Sequence, residues 1–278
     1  MSTNKIGKIS KNHRTLFLLA LLVFFLSFCV CEVNAYSGGG GTCDCGNGSI
    51  LLGGNATDAC VDCSAALNDN TNCANQVNYV GTVQINNHTG ICINNPANFS
   101  NKIFDCQGHT IEGNGSGSEY GIYLNGKSGN IIKNCVVTSF FYGIYLNSFS
   151  NNNTLINNAA NLNSGVGIYL GYASNNTLIN NTANSNSLDG IYLNSSSNNN
   201  TLTNNTANSN GGVGIYLLYS SNNTLINNTA NSSWNGIYLT VSSNNILTDN
   251  TANSNSDGNL FIFFLKQQHP NKQHSKFK

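Results

Sequence analysis

The stretch SGVGIYLGYASNNTLINNTANSNSLDGIYLNSSSNNNTLTNNTANSN, Ser164–Asn210, states one phrase twice: Gly-Ile-Tyr-Leu, then Asn-Asn-Thr, then Asn-Ser-Asn. Its only charged residue is Asp189. Looking outward, Gly-Ile-Tyr-Leu begins at Gly121, Gly143, Gly167, Gly190, Gly214 and Gly236, at intervals of 22, 24, 23, 24 and 22 residues. A further step of 22 reaches Gly258, where SDGNLF (Ser256–Phe261) reads as a decayed copy of LDGIYL. Self-similarity at a fixed period of this length signals a solenoid, in which each repeat buries its apolar face only against its neighbours.

The type of solenoid follows from the residues within one period. Asn, Thr, Ser and Gly are poor helix formers, and the unit lacks the leucine density of a leucine-rich repeat. It consists of short alternating segments, such as GIYL and NTLINNTA, separated by Asn/Ser/Gly turns. Three short strands and three corners per period make a parallel β-helix, and the expected fold class is all-β. The motif N-N-T-L-I-N-N-T-A-N-S-N…G-I-Y-L, from about Ile103 to Leu260, resembles the right-handed parallel β-helix repeat family. The version it is most similar to occurs in exported surface proteins and in the copper-accessory proteins called NosD. That resemblance implies about seven right-handed coils of 22–24 residues over 101–258, about 34 Å long at ~4.8 Å per coil.

Strand alternation assigns the faces. Within each Gly-Ile-Tyr-Leu, Ile and Leu are expected to point inward and Tyr outward. A third apolar row is expected at Leu155, Leu178, Leu202 and Leu225 with Ile246, and Ala160, Ala183, Ala207, Ala230 and Ala252 fill the narrow part of the section. Asn158, Asn181, Asn205, Asn228 and Asn250 are expected to form a ladder of stacked amides, as in cross-β stacks. A charged residue in such a column faces its own copy one coil away, so scarcity of charge is a stacking requirement. The glycine column is expected at a corner, where positive φ is cheap.

The first 35 residues read as a signal peptide. Lys5, Lys8, Lys11 and Arg14 precede the apolar run Leu16–Cys31, and Val33-Asn34-Ala35 makes a cleavage site; uncleaved, this segment is the one route to a membrane. Eight cysteines follow, Cys43, Cys45, Cys60, Cys63, Cys73, Cys92, Cys106 and Cys135. In an exported chain they read as disulfides rather than a zinc site, with connectivity left open. Residues 36–100 are expected to form a Cys-rich N-terminal cap and the first coils. Residues 259–278 break the pattern as an atypical tail, read as a truncated or frame-shifted end of a longer surface protein.

Charge and chemistry narrow the function. Beyond residue 35 there are seven Lys and ten Asp/Glu, and residues 134–265 contain no Lys or Arg, which argues against nucleic acid as a partner. Pectin-type hydrolysis needs paired carboxylates and lyases need a base, whereas the repeat body offers Asp189, Asp249 and Asp257 alone. IFDCQGHTIEG (Ile103–Gly113) carries Asp105, His109 and Glu112 but reads as the first coil of the resembled family. NosD implies copper delivery, yet Met1 is the sole methionine and His88 and His109 are isolated. No catalytic residue, metal site or cofactor is therefore expected. The outward column Tyr123, Tyr145, Tyr169, Tyr192, Tyr216 and Tyr238 is the candidate ligand-binding surface, a flat row able to stack on glycan rings or meet a surface protein. Sequons occur at Asn152, Asn175, Asn199 and Asn222 and at neighbouring Asn-Asn-Thr sites. The expectation is a secreted or cell-surface structural or adhesive module, with a polysaccharide-active enzyme of pectate-lyase or glycoside-hydrolase type as the alternative.

Overall fold

The computed structural model describes residues 37–46, 56–81, 84–263 and 274–277. The signal-peptide reading lies outside these residues. The rest is a parallel β-solenoid of three sheets. Sheet one has eleven strands, running from Ser37–Gly39 and Thr42–Cys45 through Thr154–Ile156, Thr177–Ile179 and Thr201–Thr203 to Ile246–Asn250 and His274–Phe277. Sheet two has four strands, Ile85–His88, Thr110–Gly113, Val136–Thr138 and Ala159–Asn161. It continues as single bridges through Thr182, Thr206, Thr229 and Thr251. Sheet three has eight strands and carries every Gly-Ile-Tyr-Leu. All pairings are parallel except Ser37–Gly39, which runs antiparallel to Thr42–Cys45, and the register is regular except for shifts between Ile85 and His88 and between Thr248 and Asn250. Sheet two thins where Val136-Val137-Thr138 gives way to Thr-Ala pairs, since β-branched residues hold a pleated surface better than Ala and Asn.

The predicted rows line the core. Ile144, Ile168, Ile191, Ile215 and Ile237 are fully buried, as are Leu146, Leu170, Leu193, Leu217 and Leu239. The third row is Phe104, Ile132, Leu155, Leu178, Leu202, Leu225 and Leu247. Ile246 therefore corrects the expected row: it pairs with Thr224 and is 45% exposed, while Leu247 pairs with Leu225 and is buried. Gly258 is also corrected. It pairs with Asn235, and Leu260 pairs with Ile237, so the last coil is one residue out of step with a glycine-to-glycine alignment. The ladder runs on through Gly258–Phe263 and His274–Phe277, into the segment expected to break the pattern.

Buried asparagines supply the polar framework. The expected column is present: the Asn158 backbone N–H donates to Asn181 Oδ1 at 3.0 Å, Asn181 to Asn205 at 2.9 Å, Asn205 to Asn228 at 2.9 Å and Asn228 to Asn250 at 2.9 Å. Each side-chain amide also donates backward, as Asn205 Nδ2 does to the Leu178 carbonyl at 2.9 Å. Two further columns escaped the sequence reading. One is Asn130, Asn153, Asn176, Asn200, Asn223 and Asn245. The other is Asn163, Asn186 and Asn210, continued by Ser233 and Asn255. Three ladders, one per corner, thus satisfy donors that a dry interior leaves unpaired at high cost, with Asn223 Nδ2 the exception among their amides.

The glycine column does a different job from the one expected. Its members are absent from the positive-φ residues, which at the corners are chiefly Asn and Ser such as Asn157, Asn180, Asn204 and Asn227. A Cβ on Gly143, Gly167, Gly190 or Gly214 would lie 2.6–2.8 Å from the carbonyl oxygen of the next glycine in the column. Glycine is required for close approach of successive coils, not for φ.

Residues 42–46, 56–81 and 84–94 stand at the leading end of the ladder. Gln76–Tyr79, Ile85–His88 and Ile93–Asn94 form a complete coil before the one containing Ile103–Gly113, which is therefore the second coil and not the first. Helix α1 (Ala56–Asn68) packs on its strands with Ala59, Cys63, Ala66 and Leu67 buried. All eight cysteines are paired, as Cys43–Cys73, Cys45–Cys63, Cys60–Cys92 and Cys106–Cys135. The buried Lys102 ammonium donates to the carbonyls of Leu67 and Asp69, both at 2.8 Å, at the end of α1. A cation there also complements the negative end of the helix dipole. Among the described residues no helix is long and apolar enough to cross a membrane.

Candidate functional site

On the outward side of sheet three, repetition brings one aromatic side chain per coil into a single column. Each Gly-Ile-Tyr-Leu strand buries Ile and Leu and leaves Tyr partly buried between them. In-register pairing then sets each tyrosine directly above the last. Ring centroids are 4.7 Å apart for Tyr145–Tyr169, 5.0 Å for Tyr169–Tyr192, 4.8 Å for Tyr192–Tyr216 and 5.1 Å for Tyr216–Tyr238, with interplanar angles of 7°, 9°, 6° and 18°. Tyr123 joins at 5.3 Å with its ring tilted by 41°. All six predicted residues therefore come together in one column.

The geometry alters how that column can be used. Ring faces are covered by neighbouring rings, so a sugar cannot lie flat on them; what faces outward is a line of ring edges and hydroxyls. Two tyrosines outside the predicted set extend the patch. Tyr120 stacks on Tyr142 at 5.3 Å, and Tyr142 sets its edge against Tyr145 and Tyr169 at 5.3 and 5.0 Å. The signal for them was the Tyr that precedes Gly121 and Gly143. Burial, followed by the neighbouring phenols Tyr169 and Tyr120 and by Asp189, pushes Tyr142 up to about 12. Burial, followed by neighbouring phenols, also raises Tyr145 and Tyr192, with Asp189 adding to the rise at Tyr192, so these phenols stay protonated donors. Asn194 Nδ2 donates to the Tyr169 hydroxyl at 3.0 Å.

From Tyr142 to Thr240, Asp189 is the one ionisable carboxylate. Its Oδ1 accepts from the Val213 N–H at 2.7 Å, and burial raises its pKa despite that bond. Apolar side chains border the patch where the strands begin and end: Leu188 (47% exposed) and Trp234 (57%) on the leading side, Phe149 (72%), Tyr172 (54%) and Tyr219 (53%) on the trailing side.

The remaining candidate residues lie apart from the tyrosines. Asp105 is tied to Lys133 by an ion pair of 3.1 Å and accepts from Asn134 Nδ2 and the Gln107 N–H at 2.9 Å each. Burial alone would raise its pKa, but these partners outweigh it and hold the carboxyl below its usual value. His109 sets its ring edge-on to Tyr79 at 5.6 Å. Cys60, His88 and Cys92 do converge, with ligand atoms within 4.8 Å of one another, a proximity their spacing did not reveal. The two sulfurs are bonded to each other and so are not thiolates able to bind a metal. The sequon residues Asn152, Asn175, Asn199 and Asn222 all stand exposed at the corner leading into sheet one, with φ of 57–59°. Their neighbours Asn153, Asn176, Asn200 and Asn223 are buried in a ladder.

Comparison with known proteins bears on the fold. No curated protein sequence matches the chain. Among solved structures, the periplasmic alginate epimerase AlgG is 18% identical, with a TM-score of 0.49 over 68% of this chain and 50% of its own. The A-module of the Azotobacter vinelandii mannuronan C-5 epimerase AlgE4 is 19% identical, with a TM-score of 0.49 over 66% of this chain and 59% of its own. The chain thus spans roughly half the length of these structures. The sequence profile of the family described as "Right handed beta helix region" matches residues 106–252 and 195–277, together more than half of the chain. With the parallel three-sheet ladder and its register, that match places the chain in the right-handed β-helix family.

Proposed function

We propose that the chain is an exported cell-surface module that holds an extended polysaccharide along the tyrosine face of sheet three, with the rest of the solenoid as non-catalytic scaffold and residues 1–35 as the export signal. The observation that carries this reading is the unbroken phenol stack from Tyr123 to Tyr238. Five coil steps of ~4.8 Å make it about 24 Å long, a linear array of hydroxyls on an apolar bed. A polyol chain lying along it exchanges hydrogen bonds with phenols while its C–H faces cover ring edges. The stack needs no charged partner, in keeping with a body that lacks Lys and Arg from 134 to 265. Four disulfides support an oxidising destination, and the exposed Asn152, Asn175, Asn199 and Asn222 are among the acceptors available for glycans.

The test is a polysaccharide array probed with the secreted chain, beside a reducing-sugar assay on each polymer retained. Binding without release of reducing ends is expected, and Tyr169→Ser/Tyr192→Ser is expected to abolish it. Release of reducing ends would establish the enzyme alternative, and binding that survives the double substitution would place the ligand elsewhere.

A further inference from the structure

The side chains that border the tyrosine face repeat every second coil, unlike the every-coil columns of the core. On the leading side, the register of sheet three places Phe141, Gly165, Leu188, Gly212 and Trp234 in one column. On the trailing side, backbone hydrogen bonds link Ser148, Tyr172, Ser195, Tyr219 and Val241 in the corresponding column. Large leading residues sit on the coils of Tyr145, Tyr192 and Tyr238. The trailing tyrosines sit on the coils between, those of Tyr169 and Tyr216. The two series are staggered by one coil, so bulk alternates from side to side up the solenoid: Phe141, Tyr172, Leu188, Tyr219, Trp234. Phe149 adds one further exposed ring at the trailing corner of the Tyr145 coil.

Packing fixes this alternation. A Cβ on Gly165 would lie 2.6 Å from the Phe141 carbonyl oxygen and 3.0 Å from its ring, and one on Gly212 would lie 2.6 Å from Asp189 Oδ1. A side chain at position 165 would have to part the Phe141 backbone from its neighbour, and one at 212 would have to displace the Asp189 carboxylate. On the trailing side, Tyr172 and Tyr219 hold φ of 53° and 50° at corners where Ser148 and Ser195 hold the same region. Left-handed backbone is unfavourable for an aromatic residue, yet both rings stand more than half exposed. Their faces take no part in the tyrosine stack and are open to a ligand.

Charge decides between ligand classes. From Tyr142 to Thr240 the chain holds no Lys, Arg or His, and Asp189 is its only ionisable carboxylate. An anionic polymer laid along this surface meets no countercharge. A neutral one meets none of that penalty.

We infer that the tyrosine face takes a neutral polysaccharide with a two-fold extended chain, successive sugars lodging against Phe141, Tyr172, Leu188, Tyr219 and Trp234 in turn. In such a chain each sugar is turned by half a revolution from the last, so its substituents project alternately left and right. The flanks alternate the same way, with a full repeat of about 10 Å, two inter-strand spacings. This inference rests on the proposed function and adds the class of ligand.

The experiment is affinity gel electrophoresis of the full secreted chain in gels containing hydroxyethylcellulose or glucomannan (neutral, two-fold), alginate or polygalacturonate (anionic) or dextran (neutral, flexible). Retardation is expected with the first pair alone. Trp234→Ala, and separately Tyr172→Ser/Tyr219→Ser, are each expected to weaken it about tenfold, the scale of one lost aromatic contact. The serine pair copies Ser148 and Ser195 of the same column, so it preserves the corner. Ile226→Ser on sheet one is the control and is expected to change nothing. Retardation by alginate or polygalacturonate alone overturns the neutral-chain inference while leaving a glycan-binding face. Equal retardation by dextran, or neutral binding indifferent to both variants, overturns the two-fold inference. Retardation by no polymer overturns the proposed function itself.

Discussion

At the scale of single residues, Asn205 shows why the solenoid uses asparagine where an apolar core would be expected. Its backbone N–H and Nδ2 both reach Asn228 Oδ1, at 2.9 and 3.0 Å, while its own Oδ1 accepts from Asn181 at 2.9 and 3.0 Å. Asparagine is the residue that both donates and accepts along the column without charge. Asn205→Asp keeps the shape but removes two donors and buries a carboxylate. Burial raises the folded-state pKa of that carboxyl above its unfolded value, so the variant is relatively most stable at low pH and loses stability as pH rises through the raised value. Thermal unfolding from pH 3 to 8 is expected to show a deficit that widens with pH; a pH-independent deficit would mean the amide donors matter and the charge does not. Gly190 makes a complementary case. Its added Cβ would meet backbone oxygens of Gly214 and Ala183 at 2.6 and 2.8 Å, and neither can move without parting two coils. Gly190→Ala is expected to cost about 1–3 kcal/mol, the range for overpacking, read as a lower midpoint in urea. An unchanged midpoint would show the column glycines are dispensable.

At the scale of the element, each strand of sheet three turns one side to the core and the other to the phenol stack. Stacking covers ring faces, and the resulting burial raises Tyr142 to about 12 and Tyr145, Tyr192 and Tyr216 as well. A folded-state pKa above the unfolded one, ~10 for tyrosine, means stability is intact below pH 10 and falls as pH climbs through the raised values. Absorbance at 295 nm during alkaline titration is expected to show a late class of phenols that ionise together with loss of the fold. A single early class near 10 would contradict the stack. Strand identity was readable from the repeat because Ile-Tyr-Leu alternates, but register at its margins was not. Matching Ile246 to leucines by apolar type, and Gly258 to glycines by identity, each displaced a strand by one residue, which exchanges its two sides. The Asn-Asn pair before each sheet-one strand is the better guide: Asn244-Asn245 sets Leu247 in the place of Leu225. The glycine column was expected at a corner, whereas Gly121, Gly143, Gly214 and Gly236 lie inside sheet-three strands, and the column's requirement comes from the carbonyl of another coil.

At the scale of the whole molecule, repetition makes the fold readable and the disulfides unreadable. Coil spacing repeats in the sequence, so three sheets follow from one period. The pairing Cys60–Cys92 instead depends on where α1 lies across the leading coil, and nothing in a cysteine spacing encodes that placement. The candidate site was readable as a column, Tyr123 to Tyr238, since identical residues one period apart must stack. Its flanks were not, because Phe141, Leu188, Trp234, Tyr172 and Tyr219 differ in type and share only their register.

The claim that joins these scales is that the tyrosine side of sheet three is the working surface and the other two sheets are scaffold. Hydroxyl-radical footprinting of the secreted chain, with and without a saturating polysaccharide that it retains, tests this directly. The account predicts protection at Tyr145, Tyr169, Tyr192, Tyr216 and Tyr238 and at the bordering Tyr172, Tyr219 and Trp234, with Ile226 and Ile246 on sheet one unchanged. Protection of Ile226 and Ile246 with the tyrosines unchanged would contradict it.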